Sequence, residues 1–348
     1  MVQNDISIFA APHLSLFKQI TRYGYKPNMI LKCIIMVIQN YREREKRVSY
    51  GEENQDKQFY IIGVNVGEMG LLYIMLRNLL HFAYAEKYKY IPIVDLQNYH
   101  SQFLESEDIV NKKNAWEFFF KQPAGYLLSD IQQSKNIILS SKRYVLDGYM
   151  LDNEVLINRD MQKLECLRYL YKKYIKFNDV TSKFLLADFE RILKNKGRVL
   201  GVLCRGTDYL FKKPPGHPIQ PEPIDVIMKA KEVMAEKQCA YLYLATEDQS
   251  IYELFKTHFG EKLLTNGQMR FNDDDIKNGQ YLAEVHFDRK RDKYLLGLEY
   301  LSSINLLSKC VCFIGGITGG TLGAYVMTNG FEYDYLWNIG LYSSKDVR

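Results

Sequence analysis

The sequence predicts an α/β fold of two Rossmann-like units facing each other, and three observations carry that expectation. Val199 to Cys204 is a continuous apolar run that stops at Arg205-Gly206-Thr207-Asp208, the pattern of a strand buried on both faces of a parallel sheet. Residues 59–96 read as strand, glycine turn, helix and strand, the repeating unit of a doubly wound fold. Lys309 to Ile314 is a further buried strand that runs into Gly315-Gly316-Ile317-Thr318-Gly319-Gly320-Thr321 and then a helix.

Taken in order, residues 1–58 read as a helical segment and a linker. Pro27 can open a helix whose apolar face includes Ile30, Cys33, Ile34 and Val37, followed by the charged run 41–47. Such a helix packs on its own domain or lies at a membrane surface. Gly51 to Lys57 is polar and reads as the linker. Residues 59–193 form the first unit: a strand at 59–66, a helix from Leu71 with apolar residues at helical spacing, and a strand at 90–96. Asn136 to Leu139 offers another strand, and helices fill 158–193. Residues 194–348 form the second unit. Its elements are the strand at 199, a helix at 224–237, a strand at 240–245, a helix at 250–259, a short strand at 262–265, a helix at 294–308, the strand at 309–314 and a helix at 322–328. Residues 266–291 are polar and loop-like.

Composition narrows the function classes. At 348 residues the chain exceeds one typical domain, and a net charge of +5 spread along it lacks the clustered basic face that nucleic acid requires. Aromatic residues make up 14%, with 27 tyrosines, whose flat rings and hydroxyls suit sugars as well as cores. Six cysteines show no CxxC pair, so they read as buried thiols of a reducing compartment. Cys310 and Cys312 alternate along one expected strand and would face the same side. The apolar run 29–38 is too short to span a bilayer. A cytoplasmic protein, at most touching the inner face of a membrane through its N-terminal helix, is expected.

Three loops should converge, because each follows a strand of one parallel sheet: Arg205 to Asp208, Thr246-Glu247-Asp248, and residues 315–321. An arginine at a strand end can grip a phosphate with two parallel hydrogen bonds. Glycines admit a ligand close to the backbone, and the N-terminus of the following helix favours an anion. The third loop is neither a Walker A sequence nor GxGxxG, so the combined signal is a nucleotide-diphosphate site.

The order of these motifs resembles the α1,6/α1,2 and protein-O-fucosyltransferase superfamily over about 195–330, and more weakly over 59–96. Strand-RGTD stands where that family has H-x-R-R-x-D or H-x-R-x-G-D-Y, YLATED where it has Y-L-A-T-D-D, and LSSINLLSKC leads into CFIGGITGGT. The chain is also similar to bacterial proteins of surface-polysaccharide synthesis. The resemblance implies a GT-B fold with an interdomain cleft, a GDP-fucose donor, inversion at the anomeric carbon, and no metal or other cofactor. By position, it implies that Arg205 stabilises the leaving diphosphate, that Asp208 holds Arg205 in place, and that Asp248 lies near the nucleotide. It further implies that Thr318 faces phosphate oxygens with Thr321 close by. Gly206, Thr207, His217, Thr246, Glu247, Gly316, Gly319 and Gly320 complete the expected donor-binding set. The chain departs from the pattern at Leu203 (for histidine), Gly206 (for the second arginine) and Ser303 (for the base-reading carboxylate), where Glu299, one turn earlier, is the substitute. An inverting transferase needs a general base. Glu68 is the first candidate, although a glutamate there also fits a helix N-terminus; Asp208 and Glu222 are the others. Asn65, Gly67 and Arg77 would line the acceptor side, and the acceptor would be a glycan or lipid-linked oligosaccharide hydroxyl. Two alternatives stand beside this reading: another nucleotide-sugar donor, and a non-catalytic sugar-nucleotide or glycan-binding protein.

Overall fold

The computed structural model describes residues 45–63, 67, 69–140, 154–206, 213, 216–272 and 285–343. Two sheets form within them. The first has the order β1-β4-β2-β3, with β1 (Lys46–Val48), β2 (Phe59–Ile62), β3 (Ile91–Val94) and β4 (Ile137–Leu139). Strand β2 runs parallel to both β3 and β4, and β1 closes the edge antiparallel to β4. The second sheet is wholly parallel, in the order β7-β6-β5-β8-β9. Its strands are β5 (Val199–Leu203), β6 (Tyr241–Ala245), β7 (Leu263–Leu264), β8 (Cys312–Gly316) and β9 (Tyr333–Trp337).

The helices are α1 (Leu71–Lys87), α2 (Ser106–Val110), α3 (Glu154–Ile157), α4 (Met161–Tyr174), α5 (Asp179–Ile192), α6 (Pro223–Glu236), α7 (Gln249–Phe259), α8 (Asp292–Leu307) and α9 (Gly319–Met327). Strand β5 is the middle strand of its sheet and all five of its residues are buried, which explains its unbroken apolar run. Its side chains alternate between two cores. Leu200 and Val202 pack with Val226 and Ile227 of α6 and Phe255 of α7, whereas Val199 and Leu203 enter the main core on the other face. A small cluster of Phe59, Ile61, Ile93, Ile131 and Ile137 covers the outer face of the first sheet.

The main core is continuous from one sheet to the other. It takes Tyr60 and Ile62 from β2, Tyr243 and Phe313 from the second sheet, and side chains of α1, α4, α8 and α9. Each fully buried Leu, Ile or Phe there contributes about 1.5–3 kcal/mol relative to exposure. Helix α9 lies against α1, α4 and α8, so a helix of the second sheet packs on helices of the first half. Leu72 lies close enough to Gly323 that a Cβ at 323 would meet its Cδ1 at 2.8 Å.

Several expectations change. Cys310 precedes β8 instead of lying in it, so Cys310 faces the main core and Cys312 the opposite cluster. The glycines Gly319 and Gly320 form the first turn of α9 and are not part of the loop. The stretch read as a linker is tied down: Tyr50 N and Glu53 N donate to Ser134 O and Gln133 O, and Lys135 N donates to Glu53 O. Strands β1 and β9 lack a clean apolar pattern and form through pairing with β4 and β8. The expected N-terminal helix and its membrane contact lie outside the described residues. No helix among the described residues is long and apolar enough to cross a membrane. The five described cysteines are buried free thiols.

Candidate functional site

The carboxyl ends of three adjacent strands, β6, β5 and β8, lie side by side. The register pairs Leu203 with Ala245 on one side and with Gly315 on the other. The three expected loops therefore leave the sheet at one level. Crevices at such ends are where open α/β sheets bind ligands.

Extending the β5–β6 register by two residues sets Arg205 opposite Glu247. The Arg205 Nε lies 3.1 Å from Glu247 Oε1, with the two side chains 16% and 12% exposed. The same carboxylate oxygen accepts a hydrogen bond from Gly206 N at 3.3 Å. Glu247 thus fixes both the guanidinium and the backbone of the first loop. The resemblance gave the positioning role to Asp208 and a donor-binding role to Glu247; Asp208 lies outside the described residues.

Asp248 caps α7 by accepting from Ile251 N at 3.0 Å. A side chain at Gly206 would collide with Asp248 and with Ile251 Cδ1, so a glycine is required where the first two loops cross. Thr246 is buried, and its hydroxyl accepts from Asp248 N at 3.2 Å. Both polar side chains organise the loop.

The third loop closes on itself. Thr318 Oγ1 is the N-cap of α9, accepting from Thr321 N at 3.1 Å, and it lies 3.0 Å from Thr321 Oγ1. Thr321 Oγ1 donates to Gly316 O at 2.5 Å. At Gly319 an added Cβ would meet nothing within 4 Å, so the first turn of α9 has space beside its backbone. Gly320 is confined, with Tyr300 Oη 2.7 Å from where its Cβ would stand. Gln220 is buried beneath this loop, donating from Nε2 to Pro218 O and Ile317 O. Gly316 leaves the space that its amide fills.

Both expected base readers are engaged within the protein. Ser303 is 1% exposed and its hydroxyl meets Tyr243 Oη at 3.3 Å, inside the main core. Glu299 binds Arg289 through both oxygens, at 2.5 and 3.1 Å, and also accepts from Met269 N. It therefore joins the 266–271 and 285–291 segments to α8. Along 266–270 the side chains of Asn266 and Gln268 are buried, and their amide nitrogens donate to Glu299 O and Thr246 O. Their Oδ1 and Oε1 atoms lack a hydrogen-bond partner among the described residues. The sequence reading missed these residues, since a polar stretch gives no sign of which side chains turn inward.

His217 is exposed, and its carbonyl accepts from Tyr342 N at 2.9 Å. Glu222 is exposed at the N-cap of α6. Gly67 has φ +49 and bridges to Ser101, which places it at the entry to α1. Arg77 is buried within α1. Asn65, Glu68 and Thr207 lie outside the described residues. Among the described residues no cluster of three or more His, Cys, Asp or Glu side chains could hold a metal ion.

No family model and no curated protein sequence matches the chain. Among solved structures, it is similar in chain path to the NodZ α-1,6-fucosyltransferase soaked with GDP-fucose, with 12% identity and a TM-score of 0.46 over 78% of this chain and 93% of that one. A NodZ structure from Bradyrhizobium gives 13% and 0.45 over 78% and 94%. A mutant of Arabidopsis thaliana FUT1 in complex with GDP gives 10% and 0.47 over 85% and 74%. POFUT1 in complex with GDP-fucose gives 8% and 0.43 over 83% and 100%.

Proposed function

We propose that the chain is a glycosyltransferase of GT-B architecture that moves a sugar from a nucleotide donor, GDP-fucose as first choice, to a glycan hydroxyl. The observation that carries the reading is the level alignment of three strand ends, one bearing Arg205 and its neighbour opening into the N-terminus of α9. A guanidinium there can donate from its planar fork of N–H groups to a diphosphate while staying within ion-pair distance of Glu247. The first-turn amides of α9, beside the open side of Gly319, supply further donors to an anion.

In an inverting transfer the acceptor oxygen bonds to the anomeric carbon as the bond to the β-phosphate breaks. The acceptor proton passes to a base, for which Glu68 is the first candidate. Negative charge grows on the departing diphosphate, and a preorganised cation is worth about 10²–10³ in rate. Arg205 is assigned that task and Glu247 positions it. A cytoplasmic location and a lipid-linked or free glycan acceptor complete the proposal.

One observation favours a second reading, a sugar-nucleotide-binding protein without turnover. The first loop carries Leu203 and Gly206 where the family's pattern has a histidine and a second arginine. Titration with GDP, UDP and CDP by thermal shift, followed by a donor-hydrolysis assay with GDP-fucose, separates the two, since a ligand raises apparent stability by RT ln(1 + [L]/Kd). A GDP-selective shift with turnover supports the transferase. A shift with no turnover on any acceptor supports the binding protein, and no shift with any of the three removes both. In the Arg205→Ala variant we expect a cooperative melt and a loss of turnover of about 10²-fold or more. Unchanged turnover would remove Arg205 from the mechanism.

A further inference from the structure

A cavity of about 410 Å³ opens at the carboxyl ends of the first sheet, far along the chain from the three loops above. Gly63, Asp95 and Ser140, which follow β2, β3 and β4, all line it. Its volume falls in the range of small-molecule pockets, about 300–1,000 Å³. The back wall is apolar, built from Ile61 and Ile131 of the outer-face cluster. Tyr50 and Tyr99 also line it, and Tyr99 lies against the strand end because residue 63 has no side chain: a Cβ there would stand 2.5 Å from Tyr99 Oη.

The polar end is preorganised. Asp95 is 5% exposed and accepts from Gln97 N at 3.0 Å, Asn98 N at 3.1 Å and Asn98 Nδ2 at 2.9 Å. A carboxylate offers roughly four acceptor positions, so one remains for an incoming hydroxyl. Burial, and then the charge of Asp95, hold the phenols of Tyr50 and Tyr99 above their ordinary value. Both rings therefore keep their protons.

These features select the ligand by chemistry. A buried carboxylate repels phosphate, and the exposed Lys46 at the rim leaves the lining without a net negative charge that would draw a cation. An apolar wall, two tyrosine rings and fixed donors and acceptors match a molecule with one C–H face and a rim of hydroxyls. We propose that this cavity is a saccharide subsite holding one neutral pyranose unit of a glycan. Its role as part of the acceptor site rests on the transferase reading; the sugar binding itself does not.

The test is saturation-transfer NMR on the full chain with methyl pyranosides of gluco, galacto, manno and N-acetylglucosamine configuration, with and without GDP. We expect transfer to at least one pyranoside, with a Kd on the order of 1 mM, and no displacement by GDP. Tyr50→Ala should weaken that binding about tenfold while melting as the wild type does, because Tyr50 is exposed. Asn98→Ala, which also removes a donor to the buried Asp95, should weaken it about tenfold with a lowered melting temperature. Absence of transfer to every pyranoside, displacement by GDP, or unchanged affinity in both variants would overturn the subsite. GDP binding by the same sample reports on the donor site separately. Pyranoside binding without GDP binding upholds the subsite and removes the transferase reading.

Discussion

Glu247 shows how a single side chain can decide what an arginine does. Its carboxylate meets both Arg205 Nε and Gly206 N, so the first loop cannot reorganise without breaking two contacts. His81 is a second residue whose surroundings set its chemistry. It is 1% exposed on α1, with Nδ1 2.9 Å from Tyr60 Oη. Burial, reinforced by the nearby charge of Arg77, pushes its pKa down to about 3 from an ordinary value of 6.5. The unfolded chain then binds more protons than the folded one between those two values. Stability from this group is therefore complete above pH 6.5 and falls as the pH drops toward 3, by at most about 1.4 kcal/mol per pH unit. Urea unfolding of wild type and His81→Gln across about pH 7 to 4 should show a shallower acid loss in the variant. Parallel curves would assign the acid sensitivity to other groups.

At the scale of the element, α9 depends on its cap. Thr318 closes the N-terminus through Thr321 N, and Thr321 locks onto Gly316 O. Replacing an N-cap threonine by alanine costs about 1 kcal/mol, so Thr318→Ala should lower the urea midpoint by that equivalent. If the α9 amides also face a diphosphate, the same variant should reduce the GDP-induced thermal shift. A stability loss with an unchanged GDP shift would confine Thr318 to a structural role. Strand β5 shows the complementary case. Its apolar run announces a central strand, whereas β9, whose sequence is YDYLW, announces nothing and forms because β8 offers it an edge.

For the whole molecule, one core joins the two sheets. Arg168 of α4 donates to Tyr325 O of α9 at 2.9 Å within it, and Arg159 pairs with Asp334 at the edge of β9. Two units sharing such an interior should unfold together. The chain has two tryptophans, Trp116 buried in the first half and Trp337 on β9, which makes this measurable. In Trp116→Phe and Trp337→Phe variants the remaining fluorophore should report the same urea midpoint after correction for each variant's stability from circular dichroism. Two separated midpoints would show independently stable units.

The sequence by itself determined the βα alternation, the parallel second sheet, and the positions of Arg205, Thr246 to Asp248 and the third glycine-rich loop. Apolar periodicity and glycine punctuation are local properties written along the chain. The pairing of Arg205 with Glu247, the burial of Ser303 against Tyr243, the engagement of Glu299 by Arg289 and the separation of Cys310 from Cys312 came only with tertiary structure. Each depends on strand order, register or the exact start of a strand. Residues 205 and 247 meet because β5 and β6 are neighbours aligned at Leu203 and Ala245. Strand neighbours are chosen by the packing of the whole interior, and no local stretch of sequence encodes that choice.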